Sequence, residues 1–190
     1  GKAYLIASQD IGEANDFIVS SIANIISEST AGSTYVSNLG ALSVGGVLEG
    51  SKPGVKAGGN VTIKASSPIT ITENVIVDSE ANDGDIFIIA NETANDVDGD
   101  EDFVIVKDGV TLKADGDIVI RAGDDVTIEA LATLEATGEI LIYGDLMSPA
   151  NDIDPGVGST VKIYGTLNAT STTVQTGADA TAEAGAIALA

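Results

Sequence analysis

The stretch Gly116-Asp117-Ile118-Val119-Ile120-Arg121-Ala122 decides the fold. A glycine and an acid precede apolar side chains at every second position, which is the period of an extended strand with one buried side. Ile118, Ile120 and Ala122 fall on one side, and Val119 and Arg121 on the other. The pattern returns at Gly59-Asn60-Val61-Thr62-Ile63-Lys64-Ala65 and at Gly84-Asp85-Ile86-Phe87-Ile88-Ile89-Ala90. Further copies are Gly138-Glu139-Ile140-Leu141-Ile142-Tyr143-Gly144 and, with Ser for Gly, Ser159-Thr160-Val161-Lys162-Ile163-Tyr164-Gly165. Weaker ones begin at Ser33 and Ala3.

From Asn60 the copies follow at intervals of 25, 32, 22 and 21 residues, at Asp85, Asp117, Glu139 and Thr160. The short intervals set the period, and the long ones carry inserts. Each period holds two more strand-like pieces. One set is Leu42-Ser43-Val44, Ile69-Thr70-Ile71, Phe103-Val104-Ile105 and Val126-Thr127-Ile128. The other is Val75-Ile76-Val77, Val110-Thr111-Leu112 and Ala132-Thr133-Leu134. Three short strands and three corners describe one turn of a coil. A single coil cannot bury its apolar side alone, so several must stack, with parallel strands ~4.8 Å apart. Val61, Ile86, Ile118, Ile140 and Val161 are expected in one inward ladder, and Ile63, Ile88, Ile120, Ile142 and Ile163 in the next. Ala65, Ala90, Ala122, Gly144 and Gly165 are expected to fill a crowded inner corner.

The expected fold is therefore all-β, a single parallel β-helix of about seven imperfect coils. They begin near Lys2, Ser33, Asn60, Asp85, Asp117, Glu139 and Thr160 and occupy residues 1–169. Residues 170–190, rich in Ala, Thr and Gly, read as a tail or as the start of a further coil. Two alternatives share parts of the pattern. An antiparallel sandwich also alternates, and Ile18, Ile22 and Ile25 fall at helical spacing within Phe17–Ser27. The β-branched content of that segment favours extended backbone.

Composition narrows the function. The net charge of −21, from 29 acids against 8 bases, repels phosphate backbones and anionic membrane surfaces. No apolar run reaches the ~18 residues of a membrane helix. Cysteine and histidine are absent and Arg121 is the only arginine, so thiol chemistry, the usual zinc sites and bidentate anion clamps have nothing to work with. A nucleophile–base constellation is not expected, and the chain is read as a non-enzyme. Gly1 without an initiator Met reads as the start of a piece of something longer.

From Tyr4 to about Thr166 the chain resembles the passenger repeats of large secreted bacterial adhesins of the filamentous-haemagglutinin type. The resemblance is carried by Ala7-Ser8-Gln9-Asp10-Ile11-Gly12, by Gly32 to Val44, by Gly59 to Ile63 and by Ala122-Gly123-Asp124-Asp125-Val126-Thr127-Ile128. It implies a right-handed parallel β-helix exported to the cell surface and acting as a stalk or adhesive shaft. Gln9 stands where the family's turn usually has Gly, and the acidic insert after Asn91 is not typical of it.

Two local features are candidate sites. In the insert Asn91 to Asp102, the carboxylates of Asp96, Asp98, Asp100 and Asp102 alternate around Gly99, a spacing that suits Ca²⁺, which takes six to eight oxygens. Gly99 is fourth from Asp96, so the EF-hand pattern fails, and a solvated acidic loop held open by self-repulsion stands beside the calcium reading. The loop Asn151 to Gly156 reads as a turn. The second feature is the outward side of the repeated strand. It presents Phe87, Val119 and Leu141 in one row, then Ile89, Arg121, Tyr143 and Tyr164 in the next. An apolar stripe of this kind marks a contact, either with the chain's own insert or with a partner.

The function expected is structural or adhesive, as part of a secreted bacterial surface protein or filament. The partner is a protein or glycan on another cell or matrix, or a second copy. Rivals are a carbohydrate-binding or polysaccharide-cleaving β-helix and a self-assembling sheath or surface-layer subunit.

Overall fold

The computed structural model describes residues 1–47, 53–66, 68–79, 83–91, 102–145, 159–176 and 186–189. Among them every regular element is a strand. The chain opens with β1 (Lys2–Ala7), β2 (Ile18–Ser20) and β3 (Asn24–Ser29). Three-strand coils follow: β4 (Thr34–Asn38), β5 (Leu42–Val44) and β6 (Val55–Ala57), then β7 (Val61–Ala65), β8 (Ile69–Ile71) and β9 (Val75–Val77). The next are β10 (Ile86–Ala90), β11 (Val104–Val106) and β12 (Thr111–Ala114), then β13 (Ile118–Arg121), β14 (Val126–Ile128) and β15 (Thr133–Ala136). Then come β16 (Glu139–Gly144), β17 (Thr160–Ile163) and β18 (Thr166–Asn168), followed by β19 (Ser171–Thr176) and β20 (Ala186–Leu189).

Among the described residues no strand pairs with its neighbour in sequence. Each pairs in parallel with its counterpart one coil away, which makes the chain a parallel β-helix with three faces. The first face stacks β2, β4, β7, β10, β13, β16 and β19, which gives seven coils among the described residues. The second stacks β5, β8, β11, β14, β17 and β20, and the third β6, β9, β12, β15 and β18. Below them β3 serves both: Asn24 and Ile25 pair with Ser43 and Val44, and Ser27 to Ser29 pair with Val55 to Ala57. β1 underlies β3 in turn.

Alternation explains the interior. Thr34, Val61, Ile86, Ile118 and Ile140 lie in register on the first face, and so do Val36, Ile63, Ile88, Ile120 and Ile142. Leu42, Ile69, Val104 and Val126 run up the second face. Val55, Val75, Leu112 and Leu134 run up the third. The inward aliphatics merge into one continuous core.

Four expectations are corrected. Val161 and Ile163 belong to the second face, paired with Val126 and Ile128, so Thr160 does not begin a coil. The first-face successor of Glu139 is Ser171, with Ile140 opposite Thr172. A strand's own alternation does not tell which face it joins, and residues 146–158, which fall between β16 and β17 in the chain, lie outside the described residues. Gly165 accordingly leaves the small-residue corner. Lys2 likewise starts no coil, because β1 pairs with β3 and lies under the second and third faces. The second-face strand after the acidic insert is Val104–Val106, one residue later than read, which turns Ile105 outward.

The parallel ladders also pass the expected boundary at residue 169, through Ser171–Thr176 and Ala186–Leu189. The segment Phe17–Ser27 is extended and not helical, and Ile25 is buried in the core.

Candidate functional site

One corner explains why Gly-Asx pairs recur. Where the chain turns onto the first face, each coil's polar side chain takes the backbone amide of the coil above. Asp10 Oδ1 accepts from Ser33 N at 2.6 Å and Ser33 Oγ from Asn60 N at 3.0 Å. Asn60 Oδ1 accepts from Asp85 N at 2.9 Å, Asp85 Oδ1 from Asp117 N at 2.8 Å, and Asp117 Oδ1 from Glu139 N at 2.7 Å. Ser171 Oγ then donates to Glu139 Oε1 at 2.9 Å. The preceding glycine is a matter of space. A Cβ on Gly116 would strike Asp85 Oδ1, and one on Gly138 would strike Asp117 Oδ1. These acids are therefore joints between coils.

The corner between the first and second faces is built the same way. Asp102 is fully buried. Its amide donates to Asp124 Oδ2 at 2.8 Å, and the Asp124 amide returns a bond to the Asp102 carbonyl at 3.0 Å. Thr160 N donates to Asp125 Oδ1 at 2.6 Å. Asp96, Asp98 and Asp100 lie outside the described residues. Among the described residues no group of three or more Asp, Glu, His or Cys side chains is arranged to hold a metal ion.

At the corner between the second and third faces Lys107 Nζ lies 2.7 Å from Glu129 Oε1, and Asp108 N donates to Glu129 Oε2 at 2.9 Å. The lysine first, then the amide, hold the Glu129 carboxyl below the ordinary carboxylate range.

The outward side of the first face carries most of the predicted stripe. One row runs Tyr35, Thr62, Phe87, Val119, Leu141 and Thr173. The next runs Ser37, Lys64, Ile89, Arg121, Tyr143 and Gln175. Phe87, Ile89, Leu141 and Tyr143 are half-buried, Val119 is buried and Arg121 is exposed. The Arg121 guanidinium lies 5.6 Å from the centre of the Tyr143 ring. Tyr164 is not in this stripe: it follows β17, and its amide bonds the Ile128 carbonyl on the second-face column.

The sequence reading missed how the lower end of this face is covered. Ile11 pairs with Thr34, and Ile18 with Val36, so residues 12–17 leave the wall as a loop where a regular strand would place one residue. Phe17 from that loop meets the Tyr35 ring edge-on at 5.8 Å, and Lys64 Nζ lies 4.5 Å from the centre of the Phe17 ring. The clue was in the sequence, because Ile11 and Ile18 both fit inward positions with too many residues between them.

The third face carries a groove of about 570 Å³ lined by Lys56, Glu73, Asn74, Ile76, Asp78 and Asp108, among others. Its Lys56–Asp78 pair, at 4.0 Å, is largely solvent-exposed.

The fold defines the chain as a parallel β-helix repeat protein. Comparison with known proteins finds no matching family model, no matching curated protein and no matching solved structure.

Proposed function

We propose that the chain is a rigid structural segment, an adhesive shaft or stalk, of a secreted bacterial surface protein. The observation that supports this reading best is the run of inter-coil joints from Asp10 to Ser171 beside three parallel ladders. A stack so joined has a fixed rise per coil and resists bending, which is what a spacer needs. The net charge of −21 fits an exposed, hydrated shaft. The resemblance of the Gly32 to Val44 and Ala122 to Ile128 stretches to adhesin passenger repeats supplies the cellular setting.

Labelling intact producing cells with antibody raised to the chain tests this directly. Surface labelling removed by mild external protease is expected, and a strictly intracellular signal would refute the proposal. Glycan binding is the second reading, favoured by the third-face groove with its mixed carboxylate, amide and ammonium lining. A glycan array reads it, and a reducing-sugar assay on acidic polysaccharides separates binding from cleavage, with no release expected. Calcium at Asp96, Asp98, Asp100 and Asp102 belongs to the same proposal, on sequence spacing. Thermal melts in millimolar Ca²⁺ against EDTA are expected to differ, and coincident melts would remove it.

A further inference from the structure

We propose that Asn168 is an acceptor for N-linked glycosylation, and that the chain carries a sugar there on the last described strand of the third face. The inference deepens the reading of an exported surface protein and rests on it, because the Asn-x-Ser/Thr signal is used on secreted chains. Three stretches carry the signal with Thr in the last place and no proline in the middle. They are Asn60-Val61-Thr62, Asn91-Glu92-Thr93 and Asn168-Ala169-Thr170.

Geometry separates the three. Asn60 is a coil joint, half-buried, with its Oδ1 taking the Asp85 amide at 2.9 Å, and Thr62 beside it is buried. A sugar on that carboxamide would stand where the next coil sits. Asn91 is half-buried, and Glu92 and Thr93 lie outside the described residues. Asn168 and Thr170 are both exposed, and the chain is described without a break from Ser159 to Thr176. Asn168 ends β18, and Ala169 and Thr170 turn the chain toward β19. β18 pairs with β15, Asn168 lying opposite Glu135, and among the described residues its other edge is open. The turn is tied to the coil below by Thr170, whose amide and hydroxyl donate to the Gly138 carbonyl at 2.9 and 2.6 Å. A transferase therefore has only an edge strand and its turn to lift, whereas Asn60 is locked between stacked coils.

The Asn168 side chain also has room beside it. With Lys113, Ala114, Glu135 and Ala136 it lines a groove of about 380 Å³ along the corner between the third and first faces. That volume falls within the ~300–1,000 Å³ of small-molecule sites. The first sugar finds two alanines to lie against, and a lysine and a glutamate for its hydroxyls. The donor is a sugar activated as a phosphate ester at its anomeric carbon. Asn168 Nδ2 attacks that carbon, so a C–N bond forms as the C–O bond to phosphate breaks. The phosphate leaves with the electron pair, and one amide proton passes to a base of the transferase.

Peptide mapping by mass spectrometry, on the chain purified from its producing cells, tests this. Trypsin cuts after Lys162, and residues 163–190 hold no Lys or Arg and have Asn168 as their sole asparagine. A mass increment of one or more sugar residues is expected on this peptide, placed on Asn168 by electron-transfer fragmentation. Asn168→Gln and, independently, Thr170→Ala should abolish it, while Thr170→Ser keeps part of it. Residues 57–64, which contain Asn60, should stay at their unmodified mass. A bare 163–190 peptide in the wild-type chain overturns the proposal, as does a sugar found on a Ser or Thr hydroxyl instead of Asn168. Occupancy at Asn60 equal to that at Asn168 overturns it too, because geometry would then select nothing. Surface labelling is a separate readout. A chain on the cell surface with bare Asn168 sinks this inference alone, and a modified chain found only inside the cell sinks the surface reading alone.

Discussion

The amide of Asp117 donates to the carboxylate of Asp85 one coil below, and the Asp117 carboxylate receives the amide of Glu139 one coil above, at 2.8 and 2.7 Å. Three coils are pinned through one residue. Stacked acids that look like a row of repelling charges act as amide acceptors, and Asn60 fills the same role without charge.

Replacing the joint should therefore separate geometry from charge. Asp117→Ala leaves the Glu139 amide without its acceptor and is expected to cost about 1–2 kcal/mol. Asp117→Asn keeps an acceptor oxygen in the position Asn60 uses, and should lose much less. Urea denaturation reads both: no loss for Ala would show that the joint contributes nothing, and equal losses for Ala and Asn would show that charge rather than acceptor geometry matters.

Glycine at the preceding position is required by space. Gly138→Ala puts a methyl onto Asp117 Oδ1, and moving that oxygen breaks its bond to Glu139 N. A loss of about 1–3 kcal/mol is expected, in the range of overpacked sites. The double variant Gly138→Ala with Asp117→Ala should cost less than the two single losses added together, a non-additivity that a double-mutant cycle detects.

In the core, Ile120 is fully buried between Ile88 and Ile142. Ile120→Ala should cost about 2–5 kcal/mol and Ile120→Val about 0.5–1.5 kcal/mol. Thr127→Ala, on the outward row of the second face, should fall within about 0.5 kcal/mol of wild type. A small effect at Ile120 would mean that the ladders are not the source of stability.

Acid should weaken the Lys107–Glu129 pair. Its partners hold the folded-state pKa of Glu129 below the ordinary carboxylate value, so the unfolded chain takes up a proton first as pH falls. The stabilisation is complete above the unfolded value and is lost as pH drops through the folded one. With its Glu129 side chain 29% exposed and Lys107 42% exposed, solvent screening keeps the gain below about 1 kcal/mol. Wild type should melt slightly above Glu129→Gln at pH 7, with the gap closing below the ordinary carboxylate range. A gap independent of pH would deny the pair its ionic character.

Much of the architecture was legible because the inward positions obey a strict period of two. Val61, Ile63, Ile86, Ile88, Ile118, Ile120, Ile140 and Ile142 declare themselves as one repeated wall, and the stacking follows from their need for neighbours. Column membership was not legible for Thr160–Ile163, whose alternation suits the first and second faces equally. The outward stripe was read from the same alternation, apart from Tyr164, which inherited the error. Phe17 was passed over because a six-residue loop interrupting a strand leaves no periodic trace beyond the two isoleucines that flank it.

By itself the sequence determined that the chain alternates, repeats and builds its apolar core from aliphatic side chains, since these depend on a residue and its near neighbours. Tertiary structure decided which strand lies on which, that Asp85 and Asp117 meet each other's coils through amides, and that Phe17 reaches Tyr35. Those contacts join residues 18 to 32 positions apart. The lengths of the intervening inserts, which no local preference encodes, set their register.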